Sequence, residues 1–263
     1  MPLIMRLHGP VDTAALEQAL AEIVRRHECL RTVLEMSDDQ LLQRVNDDSL
    51  ELSLVDVSRD PDSLDGMVSE AIQRPFDLSR DLMLRATLFQ QVPQRCTLLL
   101  VLHHIAADGW SLAVLRRELS ALYEAYSQGQ PSPLPPLPLQ YKDFTRWQRV
   151  WGDQRLSQQA AFWRGALKDA PTLDLPADRP RPPQPSLRGA SRRLVLPTDV
   201  VDRLRKLAQR ENATLYSVLF AAFKTLLARY SGHDDIVVGS PVAGRTRSEV
   251  EGLIGCFVNT IVL

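Results

Sequence analysis

Leu98-Leu99-Leu100-Val101-Leu102-His103-His104-Ile105-Ala106-Ala107-Asp108-Gly109-Trp110-Ser111 joins an apolar run to two histidines and a turn. The five apolar residues are too few to span a membrane and read as a buried strand. Asp108-Gly109 is a turn signal, and Ser111 is a good N-cap. After it Leu112, Leu115, Leu119, Leu122 and Tyr126 recur at helical spacing, with Arg116, Arg117, Glu118 and Glu124 on the other faces. Gly129 is placed to stop this helix. The reading is strand, tight loop, helix, with titratable groups in a loop at the carboxyl end of a buried strand, where α/β folds tend to hold their chemistry. Taken alone, a His-His pair at a strand end is more often two satisfied polar residues, and Asp-Gly a common turn.

Outward from this stretch, 263 residues allow one large domain or two smaller ones. Apolar content of 44% and charged content of 24% are ordinary for a globular chain. Basic and acidic residues number 31 and 32, so no overall field draws the chain to nucleic acid or an anionic membrane. No charged-then-apolar leader or long apolar run is present, which gives a cytoplasmic expectation. Cys29, Cys96 and Cys256 are scattered without a Cys-x-x-Cys pair and read as buried reduced thiols, so no metal site is expected.

Before the central stretch, Leu3 to Leu7 reads as a strand. Asp12 is placed to cap a helix whose face carries Leu16, Leu20, Ile23, Val24 and His27, with Glu22 and Arg26 as an outward pair. His27 is a helix-end residue, and Arg31 in Arg26-His27-Glu28-Cys29-Leu30-Arg31-Thr32 a solvated charge leading into a strand. Asp38-Asp39 is a hairpin tip before Leu41 to Val45. Leu64 to Arg74 reads as a short helix. Arg74-Pro75-Phe76-Asp77-Leu78 is a loop feeding the strand Leu82 to Phe89, with Thr97 to Ile105 as antiparallel partner across a turn at Pro93.

After Gly129, Pro131 to Pro138 is too proline-dense for a helix and reads as a stiff surface strap rather than a ligand for a proline-reading domain. Tyr141 to Trp151 and Leu156 to Leu167 read as two helices, and their aromatics as core. A second proline cluster, Pro176 to Pro185, is the best boundary. Residues 1–175 are thus assigned to a first lobe, 176–190 to a proline-rich linker and 191–263 to the start of a second lobe. In that second part Leu194 to Leu196 reads as a strand, Thr198 as a helix cap, and Asn212 with Thr214 as the start of an apolar helix, Leu215 to Tyr230, ended by Gly232. Ile236 to Gly239 and Ile254 to Leu263 read as strands flanking the loop Pro241 to Arg245. The fold class is α/β.

His103-His104-x-x-x-Asp108-Gly109-Trp110-Ser111, without a gap, resembles the signature of condensation domains of non-ribosomal peptide synthetases. More distantly it is similar to the His-x-x-x-Asp loop of chloramphenicol acetyltransferase-like acyltransferases. Arg26 to Thr32 looks like that family's Arg-His-Glu-x-Leu-Arg-Thr motif. Pro75-Phe76-Asp77-Leu78 and Tyr141-x-Asp143-Phe144-x-x-Trp147-Gln148 match further motifs in order. So do Asp235 to Gly239 running to Gly244-Arg245, and Ile254-Gly255-x-Phe257-Val258-Asn259-Thr260. The resemblance implies an α+β two-layer sandwich: a chloramphenicol acetyltransferase-like lobe plus the first part of a similar one. The family's leading Ser-x-Ala-Gln-x-Arg-Leu-Trp-like element and the rest of its second lobe have no counterpart, so the chain by itself is expected to be inactive.

The resemblance also implies a mechanism. The amine of an acceptor aminoacyl thioester attacks a donor thioester, both held on phosphopantetheine arms of upstream and downstream peptidyl carrier proteins, with an adenylation domain adjacent in cis and no bound cofactor. His104 is assigned as the catalytic imidazole and the Gly109 N–H as oxyanion donor. His103, Asp108, Arg245 and Arg31 support the site, with Arg245 as the cation that pairs with Asp108. Trp110, Ser111 and Asn259 are channel candidates. Gly109-Trp110-Ser111 and Asp178-Arg179-Pro180 look more like the subtype taking an L-configured donor than like an epimerisation domain. A stand-alone acyltransferase and a non-catalytic docking platform, whose histidine motif is usually broken in this family, are the other readings.

Overall fold

The computed structural model describes residues 1–92, 94–180, 182–184 and 189–263. The expected turn at Pro93, and Arg181 and Pro185 of the second proline cluster, lie outside them. By its internal contacts the chain divides into two units, Met1–Ser157 with Pro241–Asn259, and Gln158–Ser240 with Thr260–Leu263.

In chain order the first unit holds β1 (Pro2–His8), α1 (Thr13–Arg26), β2 (Thr32–Ser37), β3 (Gln40–Val45) and β4 (Leu52–Asp56). It continues with α2 (Leu64–Gln73), β5 (Leu84–Val92), β6 (Arg95–Leu102), α3 (Gly109–Ser127) and the start of α4 (Tyr141–Ala166). Among the described residues one sheet has the order β1-β6-β5-β4. β6 is antiparallel to both its neighbours, and β4 runs parallel to β5 with α2 between them in sequence.

The central strand shows why its sequence is a continuous apolar run. Leu98, Leu100 and Leu102 face a core shared with Leu16, Leu20 and Ile23 of α1 and Leu115, Leu119 and Leu122 of α3. Leu99 and Val101 face the other way, against Phe89, Val57 and Val68. A strand covered on both faces has no polar side to show. Leu98, Leu99, Leu100 and Leu102 are at most 1% exposed, and each such burial contributes about 1.5–3 kcal/mol. β2 and β3 form a separate hairpin, whose two turn residues Asp38 and Asp39 have φ of 49° and 59°, the left-handed pair that a two-residue hairpin loop requires.

Several expectations are corrected. The cap of α3 is Asp108, whose side chain accepts from the Ser111 amide; Ser111 lies inside the first turn and is fully buried. Glu22 pairs with Arg25, because Arg26 turns inward to Glu118, which is itself buried rather than on a solvated face. Tyr141 to Ala166 is one helix, since Gly152 lowers helix propensity by about 1 kcal/mol but does not end a helix as proline does. Of its aromatics Tyr141 and Phe144 pack against buried residues, but Trp147, Trp151 and Trp163 are more than a third exposed and Phe162 two-thirds.

The second unit carries the rest of α4, α5 (Thr198–Arg210) and α6 (Leu215–Ser231). Thr214 caps α6 and Gly232 ends it with φ of 73°, as the sequence indicates. Pro197 occupies the cap of α5, so Thr198 is its first residue. Leu194 to Leu196 form no strand; with no partner to complete a ladder, Leu194 and Val195 stand in solvent. β7 (Gly239–Val242) and β8 (Asn259–Val262) form a two-stranded pair, later in sequence than the strands expected from Ile236 and from Ile254. Residues 254–257 form no ladder, because side chains take the amides of Ile254, Gly255 and Phe257.

Candidate active site

The His-His loop begins where β6 stops. The His103 amide donates to Met83 O at 3.0 Å, closing the sheet, and the Ala106 amide turns back to His103 O at 3.1 Å. The Ile105 amide donates to His103 Nδ1 at 3.2 Å, which places the proton of the neutral ring on Nε2. Burial, followed by His104 and Arg85, holds the His103 imidazole below its usual range. His104 points into solvent, with Nδ1 3.8 Å from the Cys256 thiol, whose pKa burial pushes up.

The loop then runs into a buried network. Asp108 Oδ1 accepts from the Ser111 amide and hydroxyl, both at 2.8 Å, and from Arg245 Nη2 at 3.2 Å. Its other oxygen accepts from the Phe257 amide at 3.0 Å. Burial raises the carboxyl pKa, but the Ser111 and Phe257 donors and Arg245 outweigh it, and the net direction is down. Arg245 Nη1 donates to Val250 O and to Leu253 O, and its guanidinium stacks 4.0 Å from the centroid of Phe257. The Gly255 amide donates to Ser111 Oγ at 3.1 Å.

A second anchor is built around His27. His27, 1% exposed at the end of α1, accepts the Ile254 amide at Nδ1 (3.2 Å) and therefore donates from Nε2 to Glu118 Oε2 (2.9 Å). The Cys29 thiol donates to Ile254 O at 3.0 Å, and Tyr141 Oη to Cys256 O at 2.8 Å. Burial pushes both the Cys29 thiol and the Tyr141 phenol up to about 12. Each of residues 254 to 257 is thus held by a side chain of α1, α3, α4 or their flanks.

The structure brings His103, His104, Asp108, Ser111 and Arg245 together. Gly109 is the first residue of α3, so its N–H is one of the donors that a helix start leaves open. Trp110 Nε1 donates to Glu251 O at 2.9 Å with the ring half-exposed. Asn259 opens β8 and is exposed. Arg31 is not brought to the loop: its guanidinium donates to Asn46 O, beside Asp47. The family resemblance implies a bracing role for the motif that holds His27, but sequence reasoning missed its partners and the roles of Glu118, Tyr141 and Cys256. The signal for His27 was its place on the apolar face of α1, where a histidine needs buried partners.

Among the described residues no group of histidine, cysteine and acidic side chains is arranged to hold a metal ion. No helix among them is long and apolar enough to cross a membrane. A groove of about 480 Å³ opens beside the loop, lined by Cys29, Thr32, Leu34, Met83, Ile105 and Tyr141 among others.

The family model Condensation domain matches residues 1–263. Two polypeptides of the linear gramicidin synthase of Brevibacillus parabrevis are 41% identical over 271 residues and 44% identical over 274 residues. Each alignment covers 100% of this chain but only 5% and 4% of those proteins, so the chain spans about a twentieth of the curated relatives it matches. The X-domain from teicoplanin biosynthesis superposes with a TM-score of 0.92 at 30% identity, over 100% of this chain and 60% of that one. That X-domain is also solved as a complex with OxyB. With the order of motifs, the buried Asp108–Arg245 network and these matches together, the chain belongs to the condensation-domain family, which forms amide bonds as acyltransferases in non-ribosomal peptide synthetases.

Proposed function

We propose that this chain contributes the histidine-bearing part of a domain that joins an acceptor aminoacyl thioester to a donor acyl or peptidyl thioester, of the subtype taking an L-configured donor. The observation that carries the reading is the placement of His104. Its imidazole is open to solvent, while the backbone on both sides is fixed by His103 and by the buried Asp108 network. A free α-amine has a reference pKa of about 7.7–8.0, so much of it is already neutral near pH 7.5 and needs no strong base before attack. As the amine nitrogen bonds to the thioester carbonyl carbon it becomes acidic, and His104 accepts its proton. The tetrahedral intermediate then expels the donor's thiolate, which takes the proton from the imidazolium. Such proton transfer is worth about 10²–10⁴ in rate, and alignment of amine and thioester at least as much. The Gly109 N–H, at the positive end of α3, is the donor assigned to the oxyanion. Asp108 and Arg245 hold the loop and do not touch substrate.

Both acyl groups arrive on phosphopantetheine arms of carrier proteins, in a cytoplasmic assembly with an adenylation domain alongside, and no resident cofactor takes part. By itself the chain, which spans 60% of the superposed X-domain, is read as short of a working catalyst. A second reading, a platform that docks another protein, is favoured by the likeness to the X-domain that is solved with OxyB. The test is His104→Ala in the complete synthetase module, with loaded donor and acceptor carriers mixed and the dipeptidyl thioester followed by mass spectrometry. The catalytic reading requires product in wild type and a loss of about 10²-fold or more in the variant. Unchanged product formation removes His104 from the chemistry, and an inert wild type that still binds carriers favours the platform.

A further inference from the structure

We propose that Arg85, acting with Phe76, is a positioning residue for this reaction: it fixes the ring of His103 and through it the turn that presents His104. The proposal rests on the reading of that loop as catalytic. Arg85 lies on β5, and its Nη2 donates to two successive carbonyls at the end of α2, Arg74 O at 2.9 Å and Pro75 O at 3.0 Å. The guanidinium stands 3.6 Å from the centroid of the Phe76 ring. Phe76 in turn meets the His103 ring at 68°, with centroids 5.5 Å apart. His103 Nδ1 receives the Ile105 amide. A continuous line of contacts therefore runs from β5 to the backbone on either side of His104.

This arginine is costly where it stands. It is half-buried, its Nε has no hydrogen-bond partner, and no carboxylate among the described residues forms an ion pair with it. Burial and then the neighbouring Arg74 push its pKa down, against a weaker pull from Asp81. A leucine or methionine here would cover Phe76 without stripping water from a charge. A lysine would keep the charge and could donate to both carbonyls from one nitrogen, as Nη2 does, but it would lose the planar face that stacks on Phe76. Both properties have a use at this place. The stacked plane and the two Nη2 bonds fix the segment that carries Phe76, and the positive charge opposes protonation of His103. A doubly protonated His103 would turn an N–H toward the Ile105 N–H and break the turn. The charged side chains that act on His103 are His104 and Arg85.

The experiment compares wild type, Arg85→Met and Arg85→Lys in the complete module, using carrier-bound substrates. Single-turnover amide formation is measured between about pH 5 and 8, the range in which histidine titrates. In parallel, diethyl pyrocarbonate labelling of His103 is followed over the same range by peptide mass spectrometry, which needs no substrate. Arg85→Met is expected to lower kcat about tenfold or more with carrier KM values within about twofold. It should also move the acid limb of kcat and the onset of His103 labelling together to higher pH, because the opposing charge is gone. Arg85→Lys should lower kcat and leave the acid limb in place. Labelling and kcat equal to wild type in Arg85→Met, or a raised KM at unchanged kcat, would overturn the proposal. Should Arg85→Met fail to fold, wild-type kcat in Arg85→Lys overturns it alone. A labelling shift in a module whose wild type makes no amide supports the brace and sinks the catalytic reading instead.

Discussion

Arg245 Nη2 lies 3.2 Å from Asp108 Oδ1, with the two side chains only 1% and 4% exposed. These residues are 137 positions apart in sequence, so the pair ties the return of the chain at 245–257 to the start of α3. It is not an isolated ion pair: the carboxylate takes four donors and the guanidinium adds carbonyls of Val250 and Leu253. A buried pair of this kind contributes little over an apolar substitute, but removing one member leaves the other charge desolvated, at about 3–5 kcal/mol. Asp108→Ala is expected to lower the melting temperature or abolish soluble protein together with activity. An inactive variant with a normal melting temperature would place Asp108 at the chemistry rather than under the loop.

Acid stability follows from the same groups. The Asp108 and Glu118 carboxyls are both held below their ordinary values; for each, burial opposes the shift and hydrogen-bonding donors and cations outweigh it. A depressed carboxyl contributes stability above its unfolded pKa, about 3.9 for aspartate and 4.3 for glutamate, and loses it as pH falls through the folded value. Urea midpoints are therefore expected to hold from neutrality to about pH 5 and to fall below about pH 4. Glu118→Gln should start lower and fall less steeply; an acid slope equal to wild type would remove Glu118 from the account.

Much of this arrangement was legible in the sequence, and the misses share a cause. The run Leu98 to Leu102 gave the central strand because burial on both faces leaves a one-letter signature that local pattern captures. Thr214 and Gly232 bounded α6 because capping is local too. Ile254 to Phe257 read as a strand and is not one. Its apolar residues are buried as expected, but His27, Ser111 and Asp108 take the amides that a ladder would use. Glu118 read as a solvated charge because nothing near it in sequence announces His27 and Arg26. Partners more than ninety residues away decide such residues, and spacing cannot supply them. The pairing of Asp108 with Arg245 came from family resemblance, not from periodicity.

Two glycines with the same backbone angle separate strain from crowding. Gly244 and Gly129 both have φ of 68°. A Cβ on Gly129 meets nothing, whereas one on Gly244 would overlap the Phe257 carbonyl, a residue whose amide is already fixed by Asp108. Gly129→Ala is expected to cost about 1–2 kcal/mol, the left-handed penalty alone. Gly244→Ala should cost clearly more and reduce activity, since relief requires Phe257 to leave Asp108. Equal losses in denaturant titrations would mean that the 245–257 segment shifts freely.

His27 offers a test of the second anchor. Its ring accepts the Ile254 amide and donates to Glu118, so it joins the end of α1, the middle of α3 and the returning segment. Replacement by glutamine preserves one acceptor and one donor at shorter reach; replacement by alanine orphans the Ile254 amide and leaves Glu118 with Arg26 alone. Unsatisfied buried groups cost about 1–3 kcal/mol each, more when charged. His27→Ala should lose at least that much, with His27→Gln between it and wild type. A loss below about 1 kcal/mol for alanine would show water or a shifted side chain filling the place.

Tyr141 links that anchor to the open imidazole. Its hydroxyl donates to Cys256 O at 2.8 Å, its ring stacks edge-on against Phe257 at 5.1 Å, and a Cβ on Gly255 would run into the same ring. Tyr141→Phe keeps the ring and removes one hydrogen bond, which on its own is worth about 0.5–1.5 kcal/mol. The carbonyl it releases belongs to the residue whose thiol faces His104. A small stability loss is therefore expected with a larger fall in amide formation, up to about 100-fold for a displacement near 1 Å. Gly255→Ala displaces the ring instead and should lower stability and rate together. A Tyr141→Phe variant with wild-type rate would show that the position of Cys256 does not reach His104.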